Sequence, residues 1–153
     1  MTLKYLSFSI SIAFISWIVG MIVNTYIRKT DYYNKRLSNL NFIESDKLNY
    51  CIGLNYFKWI VKSTFFKFFN QKIKIDKKIE KVDLVNLRNE MTKSEIDHLV
   101  ALVFVFIFAV VKSVKFDVIF GLTIMMVNVL MNLYPSLLQQ DNKRRIDKLI
   151  QRI

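Results

Sequence analysis

The sequence predicts an all-α integral membrane protein with three transmembrane helices, a single N-terminal span followed by a C-terminal antiparallel hairpin, and a cytoplasmic interfacial amphipathic helix between them. Three observations carry that prediction. Residues 5–27 (YLSFSISIAFISWIVGMIVNTYI) and 118–138 (VIFGLTIMMVNVLMNLYPSLL) contain no charged side chain, and each is long enough to cross a hydrocarbon core of about 30 Å at about 1.5 Å per residue. Residues 99–111 (LVALVFVFIFAVV) form a third apolar run. Only 3 glycines and 1 proline interrupt a chain of 153 residues that is 53% hydrophobic, which is the composition of one helical unit rather than of several domains.

The first span, 5–27, is apolar for too long to be a secretion signal and no small-x-small cleavage pattern follows Met21, so it is expected to remain as an anchor. Residues 28–94 form a polar, basic region. Within it, 28–52 show no strong periodicity and read as irregular or weakly helical. Residues 54–70 place Leu54, Phe57, Ile60 or Val61, Phe65 and Phe68 on one side, with Asn55, Lys58, Lys62, Lys67 and Asn70 on the other. That spacing predicts a basic amphipathic helix lying in the membrane interface; a core-packing helix is the competing reading. The alternation Lys72-Ile73-Lys74-Ile75 fits a short extended piece.

Asp83 is the expected N-cap of a long helix with Leu84, Leu87, Met91 and Ser94 inward. The apolar run that follows holds 13 residues, about 20 Å of helix, and spans only if extended to 95–115. Lys112 and Lys115 then snorkel at one end while Glu95, Asp97 and His98 are drawn into the other. The third span is expected over 117–138, followed by a basic tail over 139–153.

Fifteen Lys/Arg lie between the first two spans, two in the hairpin (Lys112 and Lys115), five in the tail and one before the first span (Lys4). The positive-inside rule therefore places the N-terminus outside and the C-terminus in the cytoplasm, the protein sitting in the cell (inner) membrane. The net charge of +11 is accounted for by this topology and by contact with membrane lipids; no nucleic-acid recognition motif accompanies it. One Cys51 and one histidine cannot supply a metal site of known geometry, so metal is expected to be none. Walker, dinucleotide-binding and serine-elbow patterns are missing from the sequence.

The most informative residues are Glu95 and His98, the latter the only histidine. Three residues apart, they share a helix face, and ionisable groups entering a membrane are functional-site candidates. Folding the chain about residue 114 or 115 sets His98 near residue 131 and Glu95 near 134. There, Asn128, Asn132, Pro135 or Ser136, Gln139 and Asn142 or Lys143 repeat at 4-3-4-3 spacing on one α-helical face, with Tyr134 beside it. Pro135 is expected to free the carbonyl of Met131. A histidine oriented by a carboxylate can act as general base toward a hydroxyl, with Asn, Gln and Tyr donors holding the developing oxyanion. On this reading His98 and Glu95 are catalytic, and Asn128, Asn132, Tyr134, Gln139, Asn142 and Arg145 bind substrate. The competing reading is a non-catalytic small membrane subunit or lipid-binding scaffold, whose Asn stripe packs helices.

E-I-D-H at 95–98, F-F-N at 68–70 and N-L-Y-P-S-L-L-Q-Q-D-N-K-R-R at 132–145 resemble the glycosyl-4,4'-diaponeurosporenoate acyltransferase family over roughly residues 54–146. These are small bacterial membrane proteins that attach a fatty acyl chain to the sugar of a glycosylated carotenoid acid. Glu95, His98, Asn132, Tyr134, Pro135, Gln139, Asn142 and Arg145 match the family pattern, while Asp97 stands where the family has Ser and Lys143 where it has Arg. The resemblance implies acyl transfer to a hydroxyl of a lipid-like or glycolipid acceptor at the cytoplasmic face. No resident cofactor is expected; Lys143, Arg144 and Arg145 are suited to an anionic acyl donor such as acyl-CoA, and a membrane protein partner or homo-oligomer is the expected assembly.

Overall fold

The structure, a computed structural model, describes residues 2–43, 45–63 and 80–153. Among these, every regular element is helical: α1 (Thr2–Ile27), α2 (Asp31–Lys35), a 3₁₀ turn (Leu37–Asn39), α3 (Asp46–Cys51), α4 (Leu54–Ser63), α5 (Lys81–Lys115), α6 (Val118–Asn128), a π-helical segment (Val129–Leu133) and α7 (Tyr134–Ile150). Among the described residues, three helices are long and apolar enough to cross a membrane: Leu3–Ile27, Lys81–Lys115 and the continuous Val118–Ile150.

The long helix α5 starts one turn earlier than expected. Glu80 rather than Asp83 is its N-cap, and Asp83 instead occupies the third helical position, where its Oδ2 accepts the Glu80 N–H at 3.2 Å. This is a reciprocal capping box, in which two acidic side chains satisfy orphan N–H groups at the positive end of the dipole. Leu84 and Met91 are buried and Leu87 partly so, all against Ile146 and Ile150 of α7. Beyond Met91 the inward stripe steps by four to Glu95 and Ile96 rather than by three to Ser94. Asp117 ends the connection after α5 by capping α6, its Oδ1 accepting from the Ile119 N–H at 3.0 Å. Contacts between α5 and the last helix then run from Leu102 with Asn128, through Glu95 with Gln140, to Arg88 with Asp147.

In lipid, apolar surface gives helices little reason to associate, so close packing and polar contacts must hold them together. The inner face of α1 is built for close approach: Ser9, Ala13, Ser16, Gly20 and Asn24 are all buried. Gly20 sits so near the Asp97 backbone that an added Cβ would collide with its carbonyl. Gly20→Ala is expected to force α1 from α5 and cost about 1–3 kcal/mol, measured as a lowered unfolding midpoint in detergent; an unchanged midpoint would rule out this approach. Nearer the α5–α6 turn, Ile12, Val105, Ala109, Phe120 and Ile124 form an apolar core. Lys112 does not extend into solvent there but lies over the rings of Phe8, Phe116 and Phe120 at 4.9, 4.4 and 5.5 Å, a cation–π arrangement that keeps the ammonium stabilised at the rim.

The helix expected over 54–70 is observed as α4 over Leu54–Ser63, and its remainder, with the 72–75 alternation, lies outside the described residues. Its apolar face does not lie open to lipid. Leu54, Phe57 and Val61 pack on Tyr134, Leu137 and Leu138 of α7, while Tyr56 and Trp59 are stacked on each other and exposed.

Candidate functional site

Two polar layers cross between α1, α5 and the continuous helix Val118–Ile150. The inner layer centres on Asn132. Its Oδ1 accepts from Trp17 Nε1 at 3.0 Å, and its Nδ2 donates to Asn128 Oδ1 at 2.8 Å and to Ser16 Oγ at 3.3 Å. Asn128 in turn donates to the Leu102 carbonyl at 3.0 Å. Trp17 Nε1 also reaches the Met131 carbonyl at 3.4 Å, the group that Pro135 leaves without its helical N–H partner. Met131 and Asn132 lie in the π segment, where the widened turn exposes backbone carbonyls to such donors.

His98 borders this layer. Its ring stands edge-on to Trp17, with centroids 6.0 Å apart, and the Asn132 amide is the polar side chain facing it. The His98 Nδ1 is buried and has no hydrogen-bond partner among the described residues. A buried imidazole nitrogen left without a partner is uncommon, because desolvation without compensation is costly.

The outer layer belongs to Glu95, which is fully buried. It does not bond His98. Its Oε2 pairs with Lys143 Nζ and its Oε1 accepts from Gln140 Nε2 at 2.8 Å. Gln140 Oε1 accepts the Phe42 N–H at 2.9 Å, and Lys143 also reaches the carbonyls of Ser38 and Leu40 at 3.4 and 3.5 Å. The segment around residues 38–42 is thereby strapped over the ion pair. Asp97, beside His98 in sequence, points the other way and accepts from Asn24 Nδ2 at 2.7 Å. Tyr33 of α2 is buried. Its burial pushes the phenol above its usual pKa against the opposing charge of Arg28, while the charges of Asp97 and Glu95 act in the same sense as the burial, so it stays a neutral hydroxyl.

The α-helical spacing placed Pro135 or Ser136, Gln139, and Asn142 or Lys143 on the Asn132 face. The structure buries Asn128, Asn132, Ser136, Gln140 and Lys143. The π segment explains the difference. One extra residue in the turn at 129–133 rotates everything beyond it, so Gln140 and Lys143 take the inward positions while Gln139 and Asn142 become half-buried neighbours. Tyr134 uses its hydroxyl on the Ile52 carbonyl at 2.5 Å, which fixes the α3–α4 connection to α7. Arg145 is exposed and reaches Asp141 Oδ2 through Nε at 3.1 Å. Of the expected site residues, the structure therefore groups His98 with Asn128 and Asn132, seats Glu95 in a separate ion pair, and puts Tyr134, Gln139, Asn142 and Arg145 outside both layers.

Residues that the sequence reading passed over complete the layers: Ser16, Trp17 and Asn24 from α1, and Gln140 from α7, beside Lys143, which the spacing had offered as the alternative to Asn142. The repeat of small and polar residues at Ser9, Ala13, Ser16, Gly20 and Asn24 was the signal available for α1. For α7 there was none, because the π segment leaves no trace in hydropathy.

A family model described as glycosyl-4,4'-diaponeurosporenoate acyltransferase matches residues 29–152. No curated protein and no solved structure matches the chain. The match runs from α2 to the end of α7 and takes in His98, Glu95 and the whole Asn128–Arg145 stretch, well over half of the sequence, and by it the chain belongs to the glycosyl-4,4'-diaponeurosporenoate acyltransferase family.

Proposed function

We propose that the chain is a membrane acyltransferase that moves a fatty acyl group onto a hydroxyl of a lipid-like or glycosylated acceptor, a carotenoid glycoside included, with His98 as general base at the cytoplasmic face. The observation that carries this reading is the buried Nδ1 of His98, which has no hydrogen-bond partner among the described residues; as the unprotonated ring nitrogen it would accept a proton. In the reaction, Nδ1 takes the proton of the acceptor hydroxyl as its oxygen bonds to the acyl carbonyl carbon. The C–S bond of a thioester donor then breaks, and the imidazolium returns the proton to the departing thiolate.

The oxyanion formed between those steps needs donors. Tyr134 is engaged with Ile52, and Gln139 is turned from the inner layer. Ser136 is a better candidate: it is fully buried, its hydroxyl has no partner among the described residues, and it lies one turn beyond Asn132. Asn132 positions the imidazole, and the Trp17 bond holds Asn132 itself. Glu95 supports the site through the Lys143 pair rather than by touching the histidine.

The scaffold reading draws on one observation, the complete enclosure and pairing of Glu95. Mass spectrometry of lipid and pigment extracts from cells carrying or lacking the chain separates the two. Acyl transfer predicts a new fatty acyl ester that mild alkali releases; identical extracts would leave the scaffold reading in front. The proposed orientation predicts that cysteines introduced at Lys115 and Arg28 label from opposite sides of the membrane, Lys115 from outside, and labelling of both from one side would overturn it.

A further inference from the structure

The strongest feature outside the two layers is a cavity of about 190 Å³ where α3 and α4 meet α7, lined by Asn49, Lys58, Asp141, Arg144, Arg145 and Lys148 among others. Asp141 organises it. Its carboxylate, only 5% exposed, accepts from Lys58 Nζ at 2.5 Å, Arg144 Nη2 at 2.9 Å, Arg145 Nε at 3.1 Å and Asn49 Nδ2 at 3.1 Å. One carboxylate needs one cation. Here three converge on it and Lys148 stands at the same wall, so four positive groups face one negative group. Such an excess is self-repelling unless an anion shares the space.

We propose that this cavity binds a phosphate group, as a phosphate monoester or diphosphate. The charge excess of three matches a group carrying about two or more negative charges better than it matches a carboxylate. The donors are of the right kind. Arg145 uses Nε on Asp141, and neither its Nη atoms nor Lys148 has a partner among the described residues, which leaves a planar guanidinium fork and an ammonium for phosphate oxygens. Asp141 holds Lys58, Arg144 and Arg145 in place beforehand, so binding orders few side chains. Lys143, which stands in the same basic run, takes no part because Glu95 holds it inside. The phosphate has two sources, an anionic lipid headgroup or a soluble phosphorylated carrier. The exposed Tyr56 and Trp59 of α4, the helix that carries Lys58, set the cavity beside a surface suited to the membrane interface. The site rests on this geometry alone and not on the acyl transfer.

The test uses the full chain in phosphatidylcholine nanodiscs and the variant Arg145→Gln/Lys148→Gln, whose two side chains are exposed and whose loss should leave the helices intact by circular dichroism. In one arm, calorimetry measures binding of inorganic diphosphate and of coenzyme A; in the other, native mass spectrometry follows retention of phosphatidate mixed into the discs. The expected result is saturable binding that falls roughly 10-fold or more in the double variant. Loss of diphosphate and coenzyme A binding assigns a soluble carrier, and loss of phosphatidate retention alone assigns the headgroup. Equal behaviour of wild type and variant in both arms overturns the proposal. His98→Gln should bind phosphate like wild type, so a failure of the acyl-transfer reading would show as missing product with this binding intact.

Discussion

His98→Gln is expected to lower acyl transfer by roughly 10²–10⁴-fold, the range for loss of a positioned general base, while the protein still inserts and accumulates normally. Glutamine keeps a hydrogen-bonding group of similar reach but cannot take a proton at neutral pH. The surroundings make the substitution informative. His98 is bounded by the Trp17 ring and the Asn132 amide, both of which a glutamine amide can meet, so a histidine that merely fills space or bonds Asn132 is replaceable. The measurement is acylated lipid product per unit of membrane protein, with the unfolding midpoint recorded beside it. Full product from His98→Gln would sink the mechanism. Ser136→Ala offers the companion measurement: an oxyanion donor lowers turnover with little change in stability.

Lys143→Met should be the most destabilising single change away from the helix-packing glycines, by about 3–5 kcal/mol, because it leaves the Glu95 carboxylate buried with no counter-ion. Methionine keeps most of the side-chain volume, so the loss reports charge rather than a cavity. Gln140 still donates to Glu95 Oε1, but one neutral amide does not replace an ammonium. Adding Glu95→Gln should recover most of the stability, since two neutral groups in place of a buried ion pair are often close to break-even. A denaturation midpoint for Lys143→Met equal to wild type would show that the pair is solvated in the membrane. The double variant also divides the roles of Glu95. If it folds and retains acyl transfer, Glu95 serves to hold α5 to α7 and the strap at residues 38–42; if it folds without activity, the carboxylate acts on the site directly.

The helical class, the three apolar segments and the neighbourhood of His98 with Asn128 and Asn132 were legible in the sequence. Each depends on local patterns: uncharged runs of membrane length, the forced satisfaction of backbone groups within a helix, and a short connection that returns the chain on itself. The free carbonyl at Met131 was likewise readable, since a proline removes a donor wherever it stands in a helix. Which side chain meets which depended instead on helix rotation, and rotation is set by partners distant in sequence. The π segment, with one extra residue in its turn, brought Gln140 rather than Gln139 toward Glu95 and chose Lys143 over Asn142. The stripe of small residues on α1 brought Trp17 to Asn132 and Asn24 to Asp97. Helix α4 laid Phe57 on α7 and delivered Lys58 to Asp141. Adjacency of Glu95 and His98 along one helix does not make them partners: side chains one turn apart point to neighbouring but distinct surfaces, and each is claimed by the strongest complementary group that tertiary packing brings within reach, an ammonium for the carboxylate and an indole and an amide for the imidazole.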